Sequence, residues 1–172
     1  MFYFKLDSFY LTTCLLISIC FFYILIFYTF IPLVKNGKVK KNLINYLKTN
    51  NHQYVIKKKV SIEYDYSIEV DGVEYFIKMV DVNKNCDIQV STNKTLVVLY
   101  KSITNTLKSK EITDVKEFIE SKNKNKILLL NAKVNSIKLS KNEHEISELN
   151  RNDKINNTLI IDDRNINLIT KK

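Results

Sequence analysis

Residues 9–34, FYLTTCLLISICFFYILIFYTFIPLV, carry no charged side chain, and nothing else in the chain limits its fold so severely. Bilayer hydrocarbon is about 30 Å thick, so roughly 20 apolar residues suffice to cross it as a helix. This run exceeds that length, which a tilted helix accommodates. Its centre is rich in Leu, Ile and Phe, each favouring insertion by about 0.3–0.6 kcal/mol. At the helical rise per residue, Tyr10 and Tyr28 fall about 27 Å apart, which suits one aromatic at each interface. A cleaved signal peptide has a shorter apolar core and a small-residue cleavage site, and FIPLVKNGK offers no such site. A buried core helix is disfavoured because little else in the chain is apolar enough to cover it. The sequence therefore predicts a transmembrane helix over residues 9–34, with Pro32 marking its exit.

The flanks set the orientation. Lys5 and Asp7 precede the span, whereas Lys35, Lys38, Lys40 and Lys41 follow it. The positive-inside rule places the lysine-rich flank in the cytoplasm. Residues 1–8 then form a short extracytoplasmic N-terminus, and the expected location is the cell membrane, single-pass, with the C-terminal domain cytosolic. The sequons at Asn93 and Asn156 would matter only on the other side. Cys14 and Cys20 lie within the span and Cys86 is alone beyond it, so neither a disulfide framework nor a metal-ligand spacing is present in the sequence.

The net charge of +9 is almost entirely lysine, with Arg151 and Arg164 the only arginines. Arginine is favoured for bidentate recognition of phosphates and bases, so nucleic acid is a weaker expectation than the lipid bilayer or a protein partner. A solvated lysine surface is the simplest reading. The sharper one is attraction to anionic lipid, worth about 1 kcal/mol per lysine near the surface. Lys35, Lys38, Lys40 and Lys41, together with Lys57, Lys58 and Lys59, are the candidate lipid or phosphate contacts. The linker KNGK is short enough to keep the following domain near the bilayer.

Beyond the span, residues 35–131 are expected to form an α/β (α+β) core and residues 132–172 a C-terminal extension of the same domain. Residues 38–50 read as an amphipathic helix, with Val39, Leu43, Tyr46 and Leu47 at helical spacing. HQYVI is a short strand. Ile62, Tyr64, Tyr66, Ile68 and Val70 alternate with polar residues up to Asp71-Gly72, a two-residue turn signal. Val73, Tyr75, Ile77 and Met79 continue the alternation, which predicts a β-hairpin. TLVVLY reads as another strand. Asp114 and Glu117 resemble a capping box ahead of a helix bearing Val115, Phe118 and Ile119, with Lys122 and Lys124 near its C-terminal end. KILLLN has the uninterrupted apolar character of a buried parallel strand. TLIIDDRNINLIT reads as two short strands around a polar turn.

The order helix, strand, hairpin, strand, helix, buried strand, with an acid in the second strand and a lysine in the third, resembles the restriction-endonuclease-like, or PD-(D/E)XK, superfamily. The resemblance covers residues 38–131 and implies an α-β-β-β-α-β core, with Asp65 as the motif's aspartate and Lys78 as its lysine. The family's third strand carries acid-x-lysine, and here Phe76 holds the acid's place. A divalent ion such as Mg²⁺ needs oxygen ligands, which a phenyl ring lacks. Glu74 lies two residues away, roughly 7 Å at strand rise.

Register offers another role for the same residues. A two-residue turn at Asp71-Gly72 pairs Val70 with Val73, Glu69 with Glu74, Ser67 with Phe76 and Asp65 with Lys78. Opposite charges across a strand pair contribute about 0.2–1 kcal/mol. Neither His52 nor His144 sits in a zinc-protease motif, and two glycines, Gly37 and Gly72, are too few for a phosphate loop. The reading is a membrane-anchored, non-catalytic binding or scaffolding domain that needs no cofactor. The alternatives are a Mg²⁺-dependent nuclease using Asp65, Glu74 and Lys78, and an anionic-lipid-binding module.

Overall fold

The computed structural model describes residues 3–57, 63–102, 104–140, 145–150 and 152–170. Lys58, Lys59, Ile62 and His144 lie outside these, as do the side chains of Tyr28, Pro32 and Lys35. The chain divides into two compact units, Met1–Lys38 and Val39–Lys172.

The first unit is helical. Helix α1 (Tyr3–Leu25) leads into a π-helical turn, Ile26–Phe30, and then into α2 (Ile31–Thr49). Thr29 Oγ1 donates to the Leu25 carbonyl within that turn, the kind of side-chain back-bonding that perturbs regular helix geometry. Pro32 does not end a helix, contrary to the expected exit. It is the second residue of α2, directly after the π-helical turn, and its missing N–H withdraws one bond from the helical ladder there. Among the described apolar side chains of α1, Leu11, Leu15, Ile17, Phe21 and Phe22 are each more than half exposed. Among the described residues, no helix is long and apolar enough to cross a membrane; in α1 the described side chains begin at Tyr10.

The second unit is an α+β domain with two mixed sheets. After α2 come β1 (Tyr54–Lys57), β2 (Tyr66–Val70), β3 (Val73–Val80), β4 (Cys86–Val90), β5 (Leu96–Lys101) and β6 (Leu107–Ile112). Helix α3 (Lys116–Glu120) precedes β7 (Lys126–Leu130), β8 (Val134–Ser140), β9 (Ile146–Glu148), β10 (Lys154–Ile155) and β11 (Thr158–Ile161). A 3₁₀ turn, Ile166–Ile169, follows. Sheet one has the order β1-β2-β3-β7-β11-β10, and sheet two the order β6-β5-β4-β8-β9.

The predicted hairpin forms β2 and β3. Asp71 and Gly72 both adopt positive φ, 50° and 80°, as a two-residue turn of matching twist requires. KILLL becomes β7, parallel to both β3 and β11. Its residues are all buried, because each face of the sheet has its own cover. Ile127 and Leu129 join α2's Val39, Leu43 and Leu47. Leu128 and Leu130 join α3's Phe118 and Ile119 and sheet two's Ile88 and Val98.

Two local expectations differ from the structure. Helix α3 has Val115 at its N-cap, with no side-chain cap from Asp114; burial of Val115 and Phe118 places this one-turn helix instead. The second strand expected in INLIT is the 3₁₀ turn, whose Ile166 and Ile169 pack on the α2 side of sheet one. The C-terminal segment also supplies β8 to sheet two. There a bulge sets Cys86 opposite Val134 but Asp87 opposite Ser136, shifting the alternation by one residue.

Asp162, at the end of β11, is 1% exposed and fully engaged. Its Oδ2 accepts from the Val134 N–H, at the start of β8, and from Arg164 Nε; its Oδ1 accepts from the Arg164 N–H and from Asn165 Nδ2. Arg164 Nη2 also donates to the Val134 carbonyl. Replacing a buried, paired carboxylate leaves its donors orphaned and typically costs about 3–5 kcal/mol, less here because Arg164 is a third exposed. Asp162→Ala is accordingly expected to lose about 3 kcal/mol, read as a lower urea midpoint with unchanged slope. Asp162→Asn, which keeps one acceptor oxygen, should lose less.

Candidate functional site

The hairpin presents the one constellation in which the sequence placed chemistry; its register agrees with the counting from Val70–Val73 to Ser67–Phe76, but the ladder ends at Tyr66–Ile77, short of the expected Asp65–Lys78 pair. Val70 pairs with Val73, Glu69 with Glu74, Ser67 with Phe76 and Tyr66 with Ile77. Successive side chains alternate between faces. Ser67, Glu69, Glu74, Phe76 and Lys78 therefore share the α3 side, while Tyr66, Ile68 and Ile77 point to the α2 side. Lys57, Glu63, Ser67, Glu74, Phe76 and Asn123 line a shallow cavity of about 470 Å³ there.

Asp65 lies one residue before β2, where the ladder to β3 stops. Its own N–H donates to the Ile77 carbonyl at 3.0 Å. Its carboxylate Oδ2 accepts the Met79 N–H at 2.6 Å. In a regular hairpin that N–H would find the carbonyl of residue 64, so the side chain stands in for the missing rung of the ladder. Asp65 is thus committed to backbone by a charge-assisted hydrogen bond.

The opposed glutamates take separate donors. Glu69 Oε2 accepts from Lys57 Nζ at 3.1 Å, and Glu74 Oε1 from Ser67 Oγ at 3.0 Å. The bond and charge of Glu69 raise the Lys57 amine above its ordinary pKa. Two like charges opposite one another across a strand pair are mildly unfavourable, and these separate partners offset that. Phe76, in the acid's place, packs edge-on against Tyr64 with ring centroids 5.0 Å apart. Lys78 is 9% exposed and pairs in register with Leu128 of β7. Among the described residues, no group of three His, Cys, Asp or Glu could hold a metal ion.

A second lysine on this face escaped the sequence reading. Lys126, 1% exposed, donates from Nζ to the carbonyls of Ile119 at 2.5 Å and Ser121 at 2.8 Å. It caps the C-terminal end of α3, the role expected of Lys122 and Lys124, and desolvation, followed by the charge of Lys94, lowers its pKa. The signal was the charge opening KILLL; what concealed it is that only the fold brings β7 back under α3. Asn131 was missed too. It follows β7, accepts the Val82 N–H through Oδ1 and donates to Asp81 through Nδ2.

Of the candidate lipid contacts, Lys38 and Lys41 are exposed, Lys40 places its amine 4.8 Å over the Tyr66 ring, and Lys57 is paired with Glu69. Cys86 is buried, and its thiol is pushed up to about 11 by desolvation, so it is a poor nucleophile at neutral pH. Comparison with known proteins finds no family model, no curated protein and no solved structure that matches the chain.

The hairpin bond to Asp65 can be tested by substitution. Asp65→Ala leaves the Met79 N–H without its acceptor and is expected to cost about 1 kcal/mol, the net value of such a bond at an exposed position. Asp65→Asn retains a carbonyl oxygen and should recover most of that in chemical denaturation. Equal losses in the two variants would show that the carboxylate's charge, not its place in the ladder, carries the effect.

Proposed function

We propose that this chain is a single-pass membrane protein whose cytosolic α+β domain binds a partner without catalysing a reaction. The observation that carries the anchor is the uncharged run of residues 9–34, long enough to cross hydrocarbon. The described apolar side chains within it, from Leu11 to Phe27, lie open. Lipid is a solvent for such a surface, whereas water is not. The lysines that follow favour a cytosolic domain.

Support for binding rather than cleavage comes from what the motif positions already do. Asp65 closes the hairpin ladder, Glu74 accepts from Ser67, and a phenyl ring stands where a second metal-binding acid would be needed. The elements α2, β1, β2, β3, α3 and β7 of an endonuclease-like core are present, with β7 parallel to β3, but β4, β5 and β6 of sheet two stand between β3 and α3, a further departure from that family's pattern. Under the rival reading, Asp65, Glu74 and Lys78 would bind Mg²⁺ and cleave a phosphodiester. Mg²⁺-dependent nuclease activity that disappears in both Asp65→Ala and Asp65→Asn would establish that rival.

The three free cysteines, Cys14, Cys20 and Cys86, test the anchor without any substitution. In native membranes a hydrophilic maleimide should label none of them, because lipid shields the first two and burial the third. All three should react after denaturation in sodium dodecyl sulfate. Labelling of Cys14 and Cys20 in intact membranes would place α1 in water and remove the anchor.

A further inference from the structure

A recess of about 540 Å³ opens on the α2 side of sheet one, within the range of small-molecule sites, about 300–1,000 Å³. Its lining lies wholly in the unit Val39–Lys172, and no described residue of α2 borders it. Three neighbouring strands make the floor, through Tyr75 of β3, Ile127 of β7 and Leu159 of β11. Leu168 and Ile169 of the 3₁₀ turn form one wall. All five join the hydrophobic cluster on this side of the sheet, yet Tyr75 and Leu168 are only partly buried, so the recess shows apolar surface to solvent.

The rim is polar, and no described acidic residue lines it. Ladder pairing sets Lys154 of β10 opposite Leu159; opposed residues share a face, so this lysine stands beside the floor. Asn156 and Asn157 form the β10–β11 turn with positive φ at both, 48° and 60°, a two-residue turn like Asp71-Gly72 that fixes Asn157 at the rim. Asn152 lies on the approach to β10. Among the described residues, the side chains of Asn152, Lys154 and Asn157 have no hydrogen-bond or ion-pair partner. The carboxylate of neighbouring Asp153 is taken by the Asn150 N–H. Lys126 also borders the recess, but its amine caps α3 on the opposite face.

We infer that this recess binds a small organic carboxylate with a planar apolar body. The body lies on Tyr75, Ile127 and Leu159, where a flat group covers the sheet surface and stacks offset on the tyrosine ring. Its carboxylate meets the Lys154 amine and the side-chain N–H groups of Asn152 and Asn157. One lysine balances one negative charge, which suits a carboxylate better than a phosphate carrying nearly two. The strands fix the floor and the turn fixes Asn157 before any ligand arrives, so little ordering is left for binding to impose. This small-molecule site goes beyond the partner-binding reading above and does not depend on the anchor.

Equilibrium dialysis of the full chain in phosphatidylcholine nanodiscs, with empty nanodiscs subtracted, tests this at neutral pH. The probes share one shape and differ in charge: 2-naphthoate, 2-naphthylmethanol and 2-naphthylmethylamine. Saturable retention is expected for 2-naphthoate, about fivefold weaker retention for the alcohol, the scale of one exposed ion pair, and weaker still for the amine. Lys154→Gln should erase the preference for the acid over the alcohol. Lys108→Gln, exposed on β6, removes the same charge and should leave that preference intact. Lys154→Glu should reverse the order so that the amine is held best, a gain that an unfolded variant could not show. Leu168→Trp, which fills the recess, should abolish retention of all three probes. Equal retention of the three by the unaltered chain would reduce the effect to apolar partition and overturn the inference. Equal losses of 2-naphthoate in Lys154→Gln and Lys108→Gln would mark a general attraction to a basic surface and overturn it too, as would undiminished retention in Leu168→Trp. If the chain stays out of nanodiscs, the anchor fails on its own, and the same dialysis in buffer still reads the recess.

Discussion

Burial of β7 on both faces organises the domain. A strand of Ile and Leu with no polar side beyond its first residue needs cover above and below, and this chain provides it from different elements. Helix α2 closes one face of sheet one; α3 and sheet two close the other. The parallel neighbours β3 and β11 follow, since a strand covered on both faces belongs inside a sheet rather than at its edge. Polar residues at the strand ends then lock the layers together. Asn131 holds the turn after β3 through the Val82 N–H, and Asp162 holds the start of β8. Lys126 ties α3 to the strand it precedes. Each is a buried polar group with hydrogen-bond partners, which makes its burial tolerable.

The same economy explains the hairpin. Three carboxylates, Asp65, Glu69 and Glu74, lie near one another along the hairpin, yet hydrogen bonding distributes them among different donors. A backbone N–H, a lysine amine and a hydroxyl each engage one carboxylate. A cation site would need those oxygens to converge on one point.

Legibility varied with the kind of signal. Alternation plus Asp71-Gly72 identified β2 and β3 and their register, because turn geometry fixes pairing once the turn is known. KILLL announced a buried strand for the reason just given. By contrast, β6 has no apolar face: Leu107, Lys108, Ser109, Lys110 and Glu111 are all exposed, as suits an edge strand, so periodicity had nothing to detect. In β8 the bulge beside Val134 puts Ile137 and Leu139 out of phase with it, which breaks the two-residue period. The segment Ile166–Ile169 reads as a strand although it forms a 3₁₀ turn, because four apolar or amide residues are compatible with either conformation until packing chooses.

By itself, the sequence determined the uncharged run, the lysine excess that follows it, the hairpin and the central apolar strand, because each is a local pattern whose physical consequence needs no distant partner. Tertiary structure alone decided which lysine caps α3, which carboxylate completes a ladder, and what covers Val39, Leu43 and Leu47 of α2. Those outcomes depend on segments far apart in the chain being brought within hydrogen-bonding distance, and that distance is a property of the packed layers rather than of any stretch of sequence.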